Sequence, residues 1–559
     1  MTDTGSLKPT HPESFAVTFL PQGKRVLCGG GDTLLEIARR HSVRIASACG
    51  GRGRCRSCAV RIEGAVPEAG AADLQDFSTA HIAAGWRRAC QTRLIGSCTV
   101  HVPAKTAAAT VKFDHEEGAI SVPIRVPVLQ AIPGDSLWRH GEHIVGPIAG
   151  GRAMGLAVDL GTTSMAASLV DMQSGEVLAT AAKENPQSIF GADVITRCMH
   201  ALHKETTARE LQRVAVEAIA DLAAGVTGGH PEQVGEVAVV GNSVMEHLLL
   251  ALPVGNLARA PYRPEVFDAV EVSTASIGLE LAPGAELYCG PNIAGFVGSD
   301  HVAALLETMA NPPPGRWALL DIGTNTEISL FVDGTLTSAS CPSGPAFEGG
   351  ALSCGMPAAP GAVDRVRIEG ENLRLETIGG AEPIGICGSG VLSLVAELRR
   401  AGVINHKGRI AAHYPRVRER DHRREFVLAD QSASGALSVV FTQDDVRAVQ
   451  LAKAAVRTGL DMLLAEVGLK DQDLDRVILA GAFGKHIDVD ESIAIGMLPS
   501  VPSDRVVQVG NAAGAGVRRL LACAEARAQA NALARQAHYV ELASKPTFQR
   551  AFMSRIEFP

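Results

Sequence analysis

Residues 317–327 read WALLDIGTNTE, and the fold turns on how this stretch is read. An apolar run, Ala318 to Leu320, leads into Asp321, Gly323, Thr324 and Asn325, and a second apolar run, Ile328 to Val332, follows at once. The pattern predicts strand, tight turn, strand. Gly323 and Asn325 tolerate unusual backbone angles, and Thr324 adds a hydroxyl. Such a turn presents its amides as a small nest that receives a phosphate. Asp321, at the strand end, is placed to hold Mg2+ through water. Taken alone, the segment fits a plain hairpin equally well.

A second copy changes the balance. Residues 155–170, GLAVDLGTTSMAASLV, repeat the arrangement, with DLGTTS at 159–164 matching DIGTNT at 321–326. In both copies a further strand ends in Val-Asp, at Val170–Asp171 and Val332–Asp333, and a glycine turn follows at Gly175 and Gly334. The match points to an internal duplication. Two facing lobes, each presenting one hairpin, would grip one nucleotide. Asp159 then stands in the first copy where Asp321 stands in the second. Gly161, Thr162 and Thr163, with Gly323, Thr324 and Asn325, become the phosphate cradle. No GxxxxGK[ST] segment competes with this reading.

The chain has 559 residues, 46% hydrophobic, 20% charged and 4% aromatic, which predicts roughly three to five domains with ample core. No run of about 18 apolar residues occurs, so no membrane span is expected. The start, MTDTGSLKPTHPESF, lacks an apolar signal core, and a cytoplasmic protein is expected. The net charge of −8 is uneven: residues 1–105 carry 14 Lys+Arg against 8 Asp+Glu, leaving the rest at −14. An acidic body argues against nucleic-acid binding, and the basic front suits an acidic partner or the chain's own body.

There are twelve cysteines, and in a protein expected to be cytoplasmic, clustered cysteines point to metal or redox chemistry before disulfides. Residues 15–28 predict two short strands around Pro21–Gly23. Asp32 is a plausible cap for the helix TLLEIARRH, and VRIASA (43–48) predicts a strand. That order suits a small β-grasp fold. Then CGGRGRCRSC supplies Cys49, Cys55 and Cys58, with Cys90 downstream, in the spacing C-x5-C-x2-C…C. Thiolates are soft ligands suited to iron–sulfur clusters, and Gly50, Gly51 and Gly53 let the loop wrap a small one. The spacing resembles the 2Fe-2S ferredoxin pattern with one extra residue in the loop. Zinc is the bland alternative, but zinc sites favour paired C-x2-C knuckles. Cys28 and Cys98 lie outside the pattern and read as packing residues. Arg52, Arg54 and Arg56 crowd the loop, either favouring the reduced cluster and an acidic partner or standing in solvent.

Prolines and glycines punctuate 106–153, a small linker domain in which VPIRVPV alternates like an edge strand. In the body, 205–226 predicts a helix, and VAVVGNSVMEHLLL predicts strand, turn and helix. SCPSGPAFEGGALSCGM (340–356) is too rich in Gly and Pro for an element and reads as a functional loop. GICGSG places Gly388, Ser389 and Gly390 just before a helix, where exposed amides suit a phosphate or nucleoside and small residues equally suit close packing. RVILAGAFG predicts a buried strand ending in a glycine turn with Gly481 and Gly484. VGNAAGAG (509–516) reads as a small-residue turn before a helix, lacking the context of a dinucleotide fingerprint. Residues 416–425, RVRERDHRRE, read as a solvated surface. Thr442 and Asp445 predict a capping box.

DLGTT, DIGTNTE, GICGSG and ILAGAFG resemble the phosphate-1, phosphate-2 and adenosine motifs of the ASKHA superfamily of acetate and sugar kinases and actin. Joined to a ferredoxin-like front, the chain resembles the reductive activators of corrinoid proteins. NPQSIFGADVITR, GNSVMEHLL, GPNIAGFVGSD, SGPAFEGGAL, VGNAAGAG and FQRAFMSRIEFP carry the likeness along nearly the whole length. DIGTNTE and GNSVMEH depart where Gly and Thr are expected.

The resemblance implies an α/β multidomain protein: a β-grasp 2Fe-2S ferredoxin domain (1–105), a linker domain (106–153), a middle domain forming the first lobe (154–314) and a C-terminal ATPase domain (315–559). Together the lobes form a two-lobed, actin-like (ASKHA, ribonuclease H-like) ATPase. The implied task is ATP-dependent reduction of Co(II) corrinoid to Co(I) in a methyltransferase system. Cys49, Cys55, Cys58 and Cys90 hold the cluster; ATP and Mg2+ occupy the hairpins, with Asp159 and Asp321 as the catalytic residues that organise the metal and the attacking water; Gly388–Gly390 and Gly481–Gly484 flank the adenosine. An external electron donor, a corrinoid-protein partner and a homodimer are implied too. A ferredoxin-type cluster near about −400 mV does not reduce Co(II) freely, so nucleotide energy or state-selective binding must shift the balance. The rival readings are an ATP-driven activator of another low-potential enzyme, a small-molecule kinase with a fused ferredoxin domain, and a non-enzymatic redox carrier whose ATPase lobes are regulatory.

Overall fold

The computed structural model describes residues 14–29, 31–41, 43–45, 47, 51, 53, 58–103, 122–148, 151–191, 193–350, 352–420, 423–430 and 438–559. Two compact units emerge, one built around residues 1–108 and the other around 109–350 and 355–559.

In the first unit, Ser14–Leu20 and Lys24–Gly29 form the expected hairpin. Ser14–Leu20 also pairs in parallel with Cys98–His101, which continues antiparallel to Ala59–Gly64, and Trp86–Arg88 closes the edge. The helix Leu34–Arg40 buries Leu34, Leu35, Ile37 and Ala38 in the same core as Val17, Phe19, Val60 and Val100. A mixed sheet holding one helix is the β-grasp arrangement. Two local expectations are corrected. The helix cap is Thr33, whose side chain and that of Glu36 complete a capping box, while Asp32 pairs with Arg40 at 2.8 Å. Val43, Arg44, Ile45 and Ser47, the described part of the expected strand VRIASA, form no strand.

The linker also departs from expectation. VPIRVPV forms no strand; Pro127 makes only an isolated bridge to Cys523. Its prolines lack the N–H that a ladder needs. The sheet comes just after it, as Leu129–Ala131, Trp138–His140 and His143–Val145. Trp138, Val145 and Ile148 then join Ala285 and Tyr288 in one hydrophobic core.

The duplication is visible in the topology of the second unit. Met154–Leu160 pairs antiparallel with Ser164–Asp171, which pairs antiparallel with Val177–Glu184; on its other side it pairs in parallel with Val234–Gly241. Trp317–Ile322 repeats this with Thr326–Val332, Thr335–Cys341 and the parallel strand Arg476–Ala480. Each sheet has six strands, and each central strand is almost wholly buried, which explains why both read as continuous apolar runs. The expected helix at 205–226 and the Thr442–Asp445 capping box form as read. RVRERDHRRE falls on the strands Val417–Arg420 and Arg423–Ala429, where Arg418 bonds Glu425 at 2.6 Å.

A cavity between two matched hairpins

The two central strands end in the same place. Asp159 sits one residue before the end of the first and Asp321 one before the end of the second. The turns beyond them meet: Thr163 Oγ1 and Thr324 Oγ1 are 3.3 Å apart. Gly161, Thr162, Thr163, Gly323, Thr324 and Asn325 all line one cavity of about 860 Å³, with Asp159 and Asp321 in its wall.

Each turn is held from behind by its carbonyls. Asn185 Nδ2 donates to Gly161 O at 2.8 Å, the Asn185 amide donates to Thr163 O at 2.9 Å, and Arg197 Nη2 donates to Thr162 O at 2.5 Å. Asn185 and Arg197 are fully buried and come from NPQSIFGADVITR. On the second turn, Ser343 Oγ donates to Gly323 O at 3.0 Å and the Gly344 amide to Thr324 O at 2.8 Å. Tying the carbonyls outward fixes both turns before any ligand arrives, so binding loses less entropy.

Four carboxyls gather beside the turns: Asp159, Asp300, Asp321 and Glu327. Asp321 and Glu327 are direct cross-strand partners, a like-charge placement that destabilises a sheet. Burial pushes the Asp159 carboxyl up to about 6. Burial and the nearby Asp159 push Asp321 up to about 7. Asp300 and Glu327 are raised by burial and by their acidic neighbours. Such a set is costly without a cation, and all four are hard oxygen donors that fit Mg2+. Asp300 stands at the start of the helix Ser299–Ala310, and Asn511 Nδ2 donates to Asp159 Oδ2 at 3.1 Å.

The glycine-rich motifs divide. Gly388 and Ser389 line the cavity, where Ser389 Oγ bonds Asp364 and Phe347 stacks on Phe483 with centroids 5.3 Å apart. These residues lie in the first turn of the helix Gly388–Arg400, not ahead of it. Gly390 is set back from the cavity: a Cβ there would stand 2.0 Å from Val363 O, so close packing accounts for it. Gly481 lines the cavity at φ +87°, and a Cβ would stand 2.9 Å from Asp321 Oδ1. Gly484 does not line it and packs against Leu479; the expected glycine turn is the short helix Gly481–His486.

VGNAAGAG is corrected as well. It does have strand–turn–helix context, with strand Val506–Gly510, Asn511 as cap and helix Ala512–Ala522. Gly510, Asn511, Ala513 and Gly514 line the cavity. Asp300, Glu327, Glu348 and Asn511 were not assigned from sequence; GSD before a helix and the Asn-capped turn were the available signals.

In the first unit, Cys58 and Cys90 are buried with Sγ atoms 3.2 Å apart, and neither is in a disulfide. Gln91 Nε2 donates to Gly51 O at 3.0 Å. The hydrogen bond with the facing Cys90, and then burial, push the Cys58 thiol far up, a pair of soft donors suited to an iron–sulfur cluster. Cys49 and Cys55, with Arg52, Arg54 and Arg56, lie outside the described residues. Cys28 and Cys98 are buried in the core, as read. No helix among the described residues is long and apolar enough to cross a membrane.

Three family models match parts of the chain. The 2Fe-2S iron-sulfur cluster binding domain matches residues 17–94, the RACo middle region 154–311, and the C-terminal domain of RACo, the ASKHA domain, 317–559. The chain is 34% identical over 419 residues to the corrinoid activation enzyme RamQ of Eubacterium limosum, covering 72% of this chain and 70% of that one. It is 26% identical over 408 residues to a [Co(II) methylated amine-specific corrinoid protein] reductase of Methanosarcina barkeri, covering 66% and 69%. A solved structure described as a reductive activator for corrinoid, iron-sulfur protein superposes with a TM-score of 0.69 at 29% identity, covering 98% of each chain.

Proposed function

This chain belongs to the RACo family of corrinoid activators, and from that premise we propose that it reduces the inactive Co(II) form of a corrinoid protein to Co(I) at the expense of ATP. The observation that carries the reading is the meeting of the two hairpins, Thr163 against Thr324, over a carboxyl-lined cavity in a chain that also holds a ferredoxin fold. The cavity takes ATP. Gly161–Thr163 and Gly323–Asn325 cradle its phosphates, Asp159, Asp300, Asp321 and Glu327 hold Mg2+, and Gly388, Ser389 and Gly481 border the nucleoside beside the Phe347–Phe483 stack.

Cys49, Cys55, Cys58 and Cys90 hold the 2Fe-2S cluster, which supplies one-electron transfer. Because reduction of Co(II) is uphill, nucleotide turnover must favour one state of the partner by several-fold; each 1.4 kcal/mol of differential binding is about tenfold. The external electron donor, a pairing of two copies and a cytoplasmic location complete the reading and rest on the family resemblance.

The test is spectroscopic. Purified protein, reductant, ATP and a Co(II) corrinoid protein are mixed, and the Co(II) absorption is followed. Loss of the Co(II) band with growth of the Co(I) band, only when ATP is present, is the expected result. Equal reduction without ATP would overturn it.

A further inference from the structure

Glu348 is the carboxyl that touches both hairpins. It is the one charged residue of the stretch 340–356, which reads from sequence as a functional loop. Its Oε2 accepts from Thr163 Oγ1 at 3.0 Å, and both its oxygens lie 2.9 Å from Thr324 Oγ1. A Cβ placed on Gly323 would be 3.5 Å from its Oε1. The carboxyl therefore stands where the two lobes converge, on the hydroxyl side of both turns.

Resting on the reading of this cavity as an ATP site, we propose that Glu348 is the catalytic base of hydrolysis: it holds the attacking water against the terminal phosphate and takes its proton. In that step the water oxygen forms a bond to the γ-phosphorus while the bond from phosphorus to the β,γ-bridging oxygen breaks. ADP departs with the bonding electrons, the water proton passes to Glu348, and release of phosphate returns it to solvent.

Two observations favour Glu348 over the other carboxyls. Asp159, Asp300, Asp321 and Glu327 act on one another electrostatically and together suit a cation, which lowers the basicity of whatever it binds. Glu348 is different: burial raises its carboxyl, the hydrogen bonds from Thr324 and Thr163 oppose this, and no charged neighbour contributes. A base poised above the ordinary carboxyl range is also better matched to neutral pH.

The second observation is rigidity. Glu348 ends a single helical turn, Pro345–Glu348, flanked by Gly344 and Gly349 with φ of +75° at each. A Cβ on Gly349 would stand 2.2 Å from Met356 O. The Gly344 amide ties the loop to the second hairpin, and Phe347 is clamped against Phe483. A side chain on such a support holds a water in one place.

The full-length protein is assayed with its corrinoid partner, comparing wild type, Glu348→Gln and Glu348→Asp. ATP turnover is measured against pH, and affinity is measured with a non-hydrolysable ATP analogue. Expected for Glu348→Gln is a kcat lower by ~10²–10⁴-fold, analogue affinity within about twofold of wild type, and loss of the acidic limb of the kcat profile. Glu348→Asp should keep that limb at a reduced rate. A Glu348→Gln variant that hydrolyses at the wild-type rate overturns the assignment. So does one that only binds the analogue more tightly, which would make Glu348 a resident anion, or one whose affinity and kcat fall together, which would make it a structural support. Wild-type protein that binds ATP and never hydrolyses it would instead sink the ATPase reading itself.

Discussion

Thr163 and Thr324 are 161 residues apart in the chain, yet their hydroxyl oxygens lie 3.3 Å from each other. Each hydroxyl also bonds Glu348, so one small polar knot joins the two copies of the duplicated hairpin. Any ligand entering there is bound by both lobes at once, which is how nucleotide occupancy would be converted into a lobe movement.

The first prediction follows from that knot. Thr324→Val removes a hydroxyl from the convergence point while keeping the β-branched shape. A hydrogen bond to a charged group contributes about 1.5–3 kcal/mol, so ATP affinity should fall by roughly 10- to 150-fold. Titration calorimetry with ATP and Mg2+ reads this directly. The fold should persist, because the carbonyls of the turn are held by Ser343 and Gly344 and not by the Thr324 side chain.

Asp321 gives a prediction with two opposite signs. It faces Glu327 across the ladder and is raised by burial and by Asp159. Asp321→Asn should lower ATP hydrolysis by at least ~100-fold, since a preorganised charge is lost. In the absence of Mg2+ the same variant should melt higher than wild type, by about 2–4 °C if the relieved repulsion is worth about 1 kcal/mol in a domain of this size. Thermal melts with chelator, beside an ATPase assay with Mg2+, separate the two effects. A variant that is both inactive and less stable would refute the cation-site reading.

How far these features could be read in advance depended on sequence distance. DLGTTS and DIGTNT were legible because strand, acid and turn are contiguous, and because the second copy made chance unlikely as an explanation. Asn511 was not, although it bonds Asp159, because its partner lies 352 residues away. Gly388, Gly390, Gly481 and Gly484 look alike in sequence, yet Gly388 and Gly481 line the cavity and Gly390 and Gly484 do not. Gly388 and Gly390 are both required by a neighbouring carbonyl, since a Cβ would stand 1.8 Å from Phe347 O and 2.0 Å from Val363 O, so the letter does not tell which of them reaches the cavity. VPIRVPV misled for another reason: its alternation is that of a strand, but Pro123 and Pro127 remove the donors.

The cysteine pattern predicts a clean loss. Cys58→Ser or Cys90→Ser removes one of two facing buried thiols and should abolish stoichiometric iron and the visible absorption of the cluster. Co(II) reduction should cease, whereas ATP binding should be retained, because the described residues that line the cavity all belong to the other unit. Iron analysis and nucleotide titration on the same preparation check both halves.

The last prediction concerns pH and lies away from the cavity. His140 Nδ1 is 3.2 Å from Glu236 Oε2 and 3.1 Å from Glu286 Oε2, and Arg527 reaches both Glu236, at 2.5 Å, and Glu271, at 2.8 Å. This node joins the linker sheet, the first-lobe sheet and the helix Ala524–Gln536. Glu236 raises the His140 pKa most, against burial and Arg527, which lower it; Glu286 adds to the rise. A histidine whose folded pKa exceeds its unfolded value of about 6.5 stabilises fully below that value, and the stabilisation is lost as pH rises through the folded pKa. The wild type should therefore lose stability on going from pH 6 to pH 8.5, and His140→Gln should lose less over the same interval. At pH 6 the variant should be weaker by about 1–3 kcal/mol, the cost of leaving buried Glu236 short of a partner. Urea midpoints at the two pH values measure both. Parallel curves for wild type and variant would mean that the imidazole is neutral throughout and that the contact serves only packing.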